Sequence, residues 1–309
     1  MAPGEALAVA QQADSTRAVV YALGANFAIA IAKYVAAVIT GSGSMLAEAV
    51  HSTADCGNQL LLLLGLKRSR RAPSADYPLG FGKETYFWSF MVALILFSIG
   101  GLFSLYEGWH KLHEAEELAY PLLALGVLAF GIVAESFSMW GCLREVNKVR
   151  GARTLWQWFR ESRNAELVVI FGEDLAALLG LSLAFAAVLA TWITGETLYD
   201  AWGSIAIGVL LIVVAVMVAI EVKALLVGQG VEPQVRREMM AFLQGQPSIE
   251  SVIELLTLHM GGDVMVAVKA KMRELGSTGA LVDEINRVEA AFRERFPQTQ
   301  WTFFEPDVR

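Results

Sequence analysis

The sequence predicts an α-helical membrane protein, with six transmembrane helices followed by a cytosolic ferredoxin-like α+β domain. Three observations lead there. The 309 residues are 55% hydrophobic, with a mean hydropathy of +0.49, well above soluble globular chains. The apolar residues gather into long runs, and about 20 of them in a helix cross a hydrocarbon core of ~30 Å. After Val227 the runs stop, and alternating and amphipathic patterns take their place.

The six runs lie at 18–39, 44–66, 86–109, 119–143, 165–193 and 198–227. Only Gly41-Ser42-Gly43 joins the first two, so they form an antiparallel pair across a tight turn. Residues 1–15 are small and polar, lack the layout of a cleaved signal peptide and read as a loose tail. The transmembrane domain is therefore set at 16–227 and the C-terminal domain at 228–309. In the latter, Glu232 to Leu243 is helical and begins with Glu-Pro, where proline suits a first turn. Ile249 to Leu258 and Val264 to Met272 alternate around Gly261-Gly262-Asp263, a hairpin signal. A second helix over Leu281 to Phe296 and a short strand over Trp301 to Phe304 complete the order α-β-β-α-β, which suggests the ferredoxin-like sandwich.

Charge sets the orientation. One set of connections holds Lys67, Arg68, Arg70, Arg71 and Lys83, then Arg144, Lys148, Arg150, Arg153, Arg160 and Arg163. The opposite set holds Lys111 beside Glu114, Glu116, Glu117, Glu196 and Asp200. The positive-inside rule places the basic connections, and both termini, in the cytoplasm. The 144–163 connection carries Trp156, Trp158 and Phe159 and reads as an amphipathic interfacial helix, with a solvated linker as the alternative. A net charge of −7 argues against a nucleic-acid footprint. Cys56 and Cys142 both lie in apolar stretches, so no disulfide framework is suggested.

Ionisable groups inside membrane spans are costly and usually functional. The second run contains Glu48, His51 and Asp55, and the fifth contains the adjacent pair Glu173 and Asp174. His51 and Asp55 stand four apart, on one helix face, and an imidazole and a carboxylate at that spacing can close on one metal ion. Neighbouring Glu173 and Asp174 point about 100° apart, so both reach one ion only if the helix bends. Several buried acidic groups repel unless a cation or protons intervene. Lys33 of the first run neutralises Glu48 or Glu135 or snorkels toward an interface; Glu48 itself lies nearer the outer end.

At these residues the chain resembles the cation diffusion facilitator family, whose members move divalent transition metals, usually zinc, against protons. The resemblance runs from Tyr21 to Asp307. It is carried by Lys33, Thr40-Gly41-Ser42, the run Ala47-Glu48-Ala49-Val50-His51-Ser52-Thr53-Ala54-Asp55, Gly80-Phe81-Gly82-Lys83, and Tyr199-Asp200 with Gly203-Ser204. The stretch from Val168 to Ala177 and His51-Ser52-x-x-Asp55-x-x-Asn58-Gln59 look most like the mitochondrial-type zinc transporter subgroup.

The resemblance implies a site built by pairs four residues apart from the second and fifth spans. His51, Asp55 and Asp174 fill three positions. The fourth falls on Ile170, which cannot bind metal, leaving Glu173, a water or Asn26 of the first span. A set with one imidazole is harder than the usual site and admits manganese, iron or cobalt beside zinc. Tyr77 and Phe81 stand where relatives often carry a metal-binding histidine, and Gly228 where some carry the acidic partner of Lys83. The C-terminal domain offers only His259, Glu254, Asp263, Glu305 and Asp307, without a dense cluster, so its expected role is to hold a homodimer. The expectation is thus proton-coupled metal export in which His51 exchanges protons readily. Metal ion and protons are cargo, no cofactor is permanent, and the bacterial inner membrane is the setting. A non-transporting scaffold or subunit is the alternative. An intramembrane metalloenzyme finds no His-Glu-x-x-His or nucleophile motif.

Overall fold

The computed structural model describes residue 23 and residues 26–113 and 120–308. The tail, the start of the first run and the acidic residues Glu114, Glu116 and Glu117 lie outside them. The described residues fall into two compact units, one comprising those up to Leu64, Trp88–Arg153 and Glu166–Ile220, the other Gly65–Phe87, Thr154–Ala165 and Glu221 onward.

The first unit is helical: α1 (Asn26–Thr40), α2 (Gly43–Ser69), α3 (Glu84–His113), α4 (Pro121–Val149), α6 (Ala165–Thr194) and α7 (Leu198–Val227) supply it, α2, α3 and α7 continuing into the second unit. Among the described residues, α3, α4, α6 and α7 are long and apolar enough to cross a membrane, and α1 is a shorter apolar helix. α2 has the length, at 27 residues, but Glu48, His51, Asp55, Lys67 and Arg68 break its apolar character. Its polarity is the reason it falls outside a count made on composition.

The turn into α2 is held from afar. Asp200, in the first turn of α7, accepts hydrogen bonds from Ser42 Oγ at 2.7 Å, the Gly43 amide at 2.7 Å and the Ser44 amide at 3.3 Å. The carboxylate thereby satisfies amides that a helix start leaves without intrahelical partners, and its charge suits the positive end of the helix dipole. Lys111 of α3 donates to the Gly41 carbonyl on the same turn. Midway along α3, Leu96–Leu102 form a π-helical stretch. Farther on, α3 and α7 approach as closely as backbones allow. A Cβ on Gly208 meets the Leu105 amide nitrogen at 2.8 Å, and one on Gly108 meets the Ile205 nitrogen at 2.7 Å. Small residues at such crossings let membrane helices pack by contact, where lipid removes the hydrophobic drive.

The 144–163 connection differs from the interfacial helix the sequence suggests. α4 runs on to Val149, and only α5 (Leu155–Glu161), capped by Thr154 and Gln157, is helical beyond it. Trp158 and Phe159 are buried in protein and Trp156 is exposed, so a seven-residue helix packs two of its three large rings inward.

The second unit carries α8 (Pro233–Gln244), β1 (Ile249–Met260), β2 (Asp263–Met272), α9 (Thr278–Arg295) and β3 (Thr299–Asp307). The strand order is β1-β2-β3, with β1 antiparallel and β3 parallel to the central strand. Val264, Val266, Val268 and Ala270 alternate inward along β2 against Met239 and Leu243 of α8 and Val288 and Phe292 of α9. The β1–β2 turn is Gly261-Gly262, with Gly261 at φ +81°, the left-handed backbone that a two-residue hairpin demands.

That hairpin tip is clasped by the segment leading into α3. Tyr86 Oη donates to the Gly261 carbonyl at 3.1 Å and accepts from the Gly261 amide at 3.0 Å. Gly82 lies so close that a Cβ there falls 1.8 Å from the Met260 oxygen. Arg163 Nε adds a 2.7 Å bond to the Gly230 carbonyl, and the Gln229 carbonyl beside it accepts from the His259 amide. Tyr86→Phe removes both ring-hydroxyl bonds and is expected to destabilise the tip by about 1–3 kcal/mol. Hydrogen exchange at the Gly261 amide should accelerate accordingly, and Gly82→Val should release the tip altogether. Unchanged exchange in both variants contradicts the clasp.

Burial pushes the His259 imidazole below its usual value. An unfolded histidine, at about 6.5, takes up its proton first, so the stability is present above about pH 6.5 and is lost as the pH falls below it. Thermal unfolding of this unit in the full-length protein should weaken from about pH 7 to about pH 5. His259→Gln should flatten that slope, and an equal slope in the variant contradicts the assignment.

Candidate functional site

One face of α2 carries the chemistry. Ser44, Glu48, His51, Asp55 and Asn58 recur at spacings of four and three, which keeps them on a single stripe of a 3.6-residue helix. All five are buried, His51 completely. In an apolar chain, a polar stripe on the inward face must find partners in the neighbouring helices or carry unsatisfied groups. Here it does both.

His51 Nε2 stands 3.6 Å from Asp55 Oδ2, and neither ring nitrogen has a hydrogen-bond partner. Asp55 Oδ1 is likewise unsatisfied. The π-helical stretch of α3 passes beside the ring: a Cβ on Gly100 comes within 3.9 Å of Nδ1, so the glycine leaves the imidazole room. Such stretches occur preferentially at functional sites.

Glu173 and Asp174 of α6 part company. Glu173 faces α2, accepting from Asn58 Nδ2 at 3.2 Å. Asp174 faces α4, where Ser138 Oγ donates to its Oδ1 at 3.1 Å while Oδ2 is unsatisfied. Adjacent helical residues point about 100° apart, and that rotation divides the pair between two neighbours. The structure thus sets His51 beside Asp55 and turns Glu173 to Asn58, one turn farther along the same stripe of α2, with Asp174 to one side. Among the described residues, no three His, Cys, Asp or Glu side chains stand as a group that holds a metal ion. Ile170 is exposed. Asn26 lies in α1 two turns from Lys33 and is partly buried.

Toward the Gly43 end of α2, Lys33 of α1 reaches Glu48 Oε2 at 3.3 Å and Ser52 Oγ at 2.7 Å. Of the two readings of Lys33, neutralisation of Glu48 is the one the geometry realises. Asn58 and Ser138 are neutral partners that a search for ionisable residues passes over, and the role of Asp200 at the start of α2 comes from the structure. The regular spacing of the α2 stripe marks Asn58, and Ser138 belongs to a similar row on α4 with Gly131, Glu135 and Cys142. Glu107, a carboxylate in α3, is also buried, with its Oε1 lying 3.4 Å from where a Cβ on Gly43 would stand.

In the C-terminal unit, Glu254, Lys269 and Glu305 share one row across the three strands. Lys269 Nζ lies 2.6 Å from Asp307 and 3.5 Å from Glu305, which ties these carboxylates to an internal cation. The hydrogen bond that Lys269 donates to Asp307 holds the lysine above its usual value. Tyr77 and Phe81 pack on each other, with ring centroids 4.6 Å apart.

Comparison with known proteins agrees with this architecture. The family described as the cation efflux transmembrane domain matches residues 19–227. The chain is 32% identical over 231 residues to a Xenopus laevis protein named mitochondrial proton-coupled zinc antiporter, covering 74% of this chain and 41% of that one. It is 31% identical over 242 residues to metal tolerance protein C4 of Arabidopsis thaliana, covering 78% and 53%. A shorter match, 36% over 90 residues, is to mitochondrial metal transporter 1 of Saccharomyces cerevisiae, covering 29% and 17%. The chain spans about half the length, or less, of these relatives. With a family match over most of its length and a multi-pass helical domain, the chain belongs to the cation efflux family, the cation diffusion facilitators, which are integral membrane transporters rather than enzymes, and is similar to their mitochondrial-type subgroup.

Proposed function

We propose that the chain is a proton-coupled transporter of divalent transition-metal ions, zinc foremost, which it exports from the cytoplasmic side through a site between α2 and α6. The observation that carries this reading is His51: a wholly buried imidazole with two unpartnered nitrogens, one turn from a carboxylate with an unpartnered oxygen. Leaving such groups unsatisfied costs about 1–3 kcal/mol each. A fold meets that cost where the groups serve a ligand.

His51 and Asp55 supply the first two donors, Glu173 the third, and Asp174 joins when α6 rotates toward α2. Asp55 and Glu173 are buried carboxyls on facing helices, where protons balance the charge when the ion is away. Metal and proton then compete for the same oxygens, and neutral imidazole for the same ion, which is the coupling an antiporter needs. One imidazole with carboxylates also accepts manganese, iron or cobalt. The helices are proposed to form six spans around this site, with the basic connections in the cytoplasm of a bacterial inner membrane. The C-terminal unit is proposed to be a ferredoxin-like domain whose open sheet face, bearing exposed Leu256 and Phe303, pairs with a second copy. The spread of the donors, with Asp174 turned to α4, favours one rival reading, a non-transporting scaffold.

Reconstitution into liposomes with an internal zinc-sensitive dye and a pH gradient separates the two. The transporter reading predicts gradient-dependent zinc entry. It is abolished by His51→Ala or Asp55→Ala, each expected to weaken the ion's affinity by on the order of 10–100-fold or more. Glu173→Gln and Asp174→Ala should each impair flux, because they hold the two halves of the α6 contribution. Absence of flux from folded protein with zinc, manganese, iron and cobalt, or normal flux in the His51 and Asp55 variants, contradicts the site.

A further inference from the structure

We infer that Lys33 is a tethered cation that fills a second carboxylate site, one turn from His51 toward the Gly43 end of α2, and denies that site to a free divalent ion. The inference deepens the transport reading and rests on it for its physiological meaning.

The Lys33 ammonium is buried against two oxygen donors of α2, with α4 and α6 packed close by. It lies 3.3 Å from Glu48 Oε2 and 2.7 Å from Ser52 Oγ, and Lys33 and Glu48 are 1% and 0% exposed. Glu48 and Ser52 are one turn apart on α2. From α4, a Cβ on Gly131 comes 3.8 Å from Lys33 Cε, and Glu135 follows one turn later on that face. From α6, Gly180 closes the other side: a Cβ there falls 2.6 Å from Glu48 Oε1. That oxygen is fully buried and has no hydrogen-bond partner.

The Glu48 carboxylate and the Ser52 hydroxyl, with Glu135 one turn from Gly131 on α4, are hard oxygen donors of the type that binds divalent cations. Lys33 offers them a single positive charge on a stem anchored in α1, which can neutralise Glu48 but cannot travel. An ion held at His51 therefore has no second acidic resting place beside it on this side. It also feels a fixed positive charge held between Glu48 and Ser52, which flank His51 on α2. Lys33 in this reading keeps the bound ion in one layer and sets the occupancy of the pathway at a single ion.

Lys33→Met preserves the length and apolar stem and removes the charge. The test is Mn2+ and Zn2+ binding by equilibrium dialysis to full-length protein in detergent, with His51→Ala also present to silence the first site. Lys33→Met is expected to add about one bound ion per protomer to that background, and Glu48→Gln to remove it again. If the variant is unstable without metal, added Mn2+ should raise its unfolding temperature in a manner that Glu48→Gln abolishes. No added ion and no Glu48-dependent stabilisation overturns the inference. Because the gain is read without His51, it stands or falls separately from the transport site, whose failure appears instead as absent flux in the parent protein.

Discussion

Taking a carboxylate or ammonium out of water costs several kcal/mol even after relaxation, and in a bilayer no solvent remains to share the cost. α2 accepts that cost repeatedly along one face, at Glu48, His51, Asp55 and Asn58. The neighbouring helices are arranged to answer it. Lys33 comes from α1, Glu173 from α6, and the space beside His51 from the glycine of the π-helical stretch in α3. Asp200 fixes the start of α2 itself and so holds the stripe in register with its partners. Where the answer is complete, at Lys33 and Glu48 Oε2, the role is a fixed charge pair. Where it is incomplete, at His51 and Asp55, the groups left over have metal-binding chemistry.

The two units use different physics for rigidity. In the helical unit, glycines on α3 and α7 bring backbones into contact, and the polar stripe is enclosed by packing rather than by a hydrophobic drive that lipid does not supply. In the C-terminal unit, an alternating β2 buries valines against two helices, and the hairpin tip is bound by Tyr86 through both of its backbone groups. Main-chain contact at Gly82 and Gly261 holds the tip.

Much of this was legible in the residues because a membrane reduces the alternatives. An apolar run of spanning length has one regular solution, so the expected limits at 165–193 and 198–227 lie within a residue of α6 and α7. The hairpin was readable for a similar reason, since Gly261-Gly262 between alternating strands admits few turns. Three things were not readable. Which way Glu173 and Asp174 point depends on the rotation of α6, and adjacent residues reveal only that they diverge. Asn58 and Ser138 are neutral, so a search by charge misses them, although each hydrogen-bonds one of the two carboxylates. Trp158 and Phe159 suggested a lipid-facing helix, because aromatic residues beside arginines look alike whether they face a bilayer or a protein core; burial decided it.

The central claim is that His51 is a metal ligand. X-ray absorption at the zinc edge on the full-length protein loaded with zinc tests it most directly. The account predicts a shell of nitrogen and oxygen near 2.0–2.2 Å, with the outer scattering of one imidazole that disappears in His51→Ala. A shell without imidazole, or one dominated by sulfur near 2.3 Å, or a spectrum unchanged by His51→Ala, contradicts it.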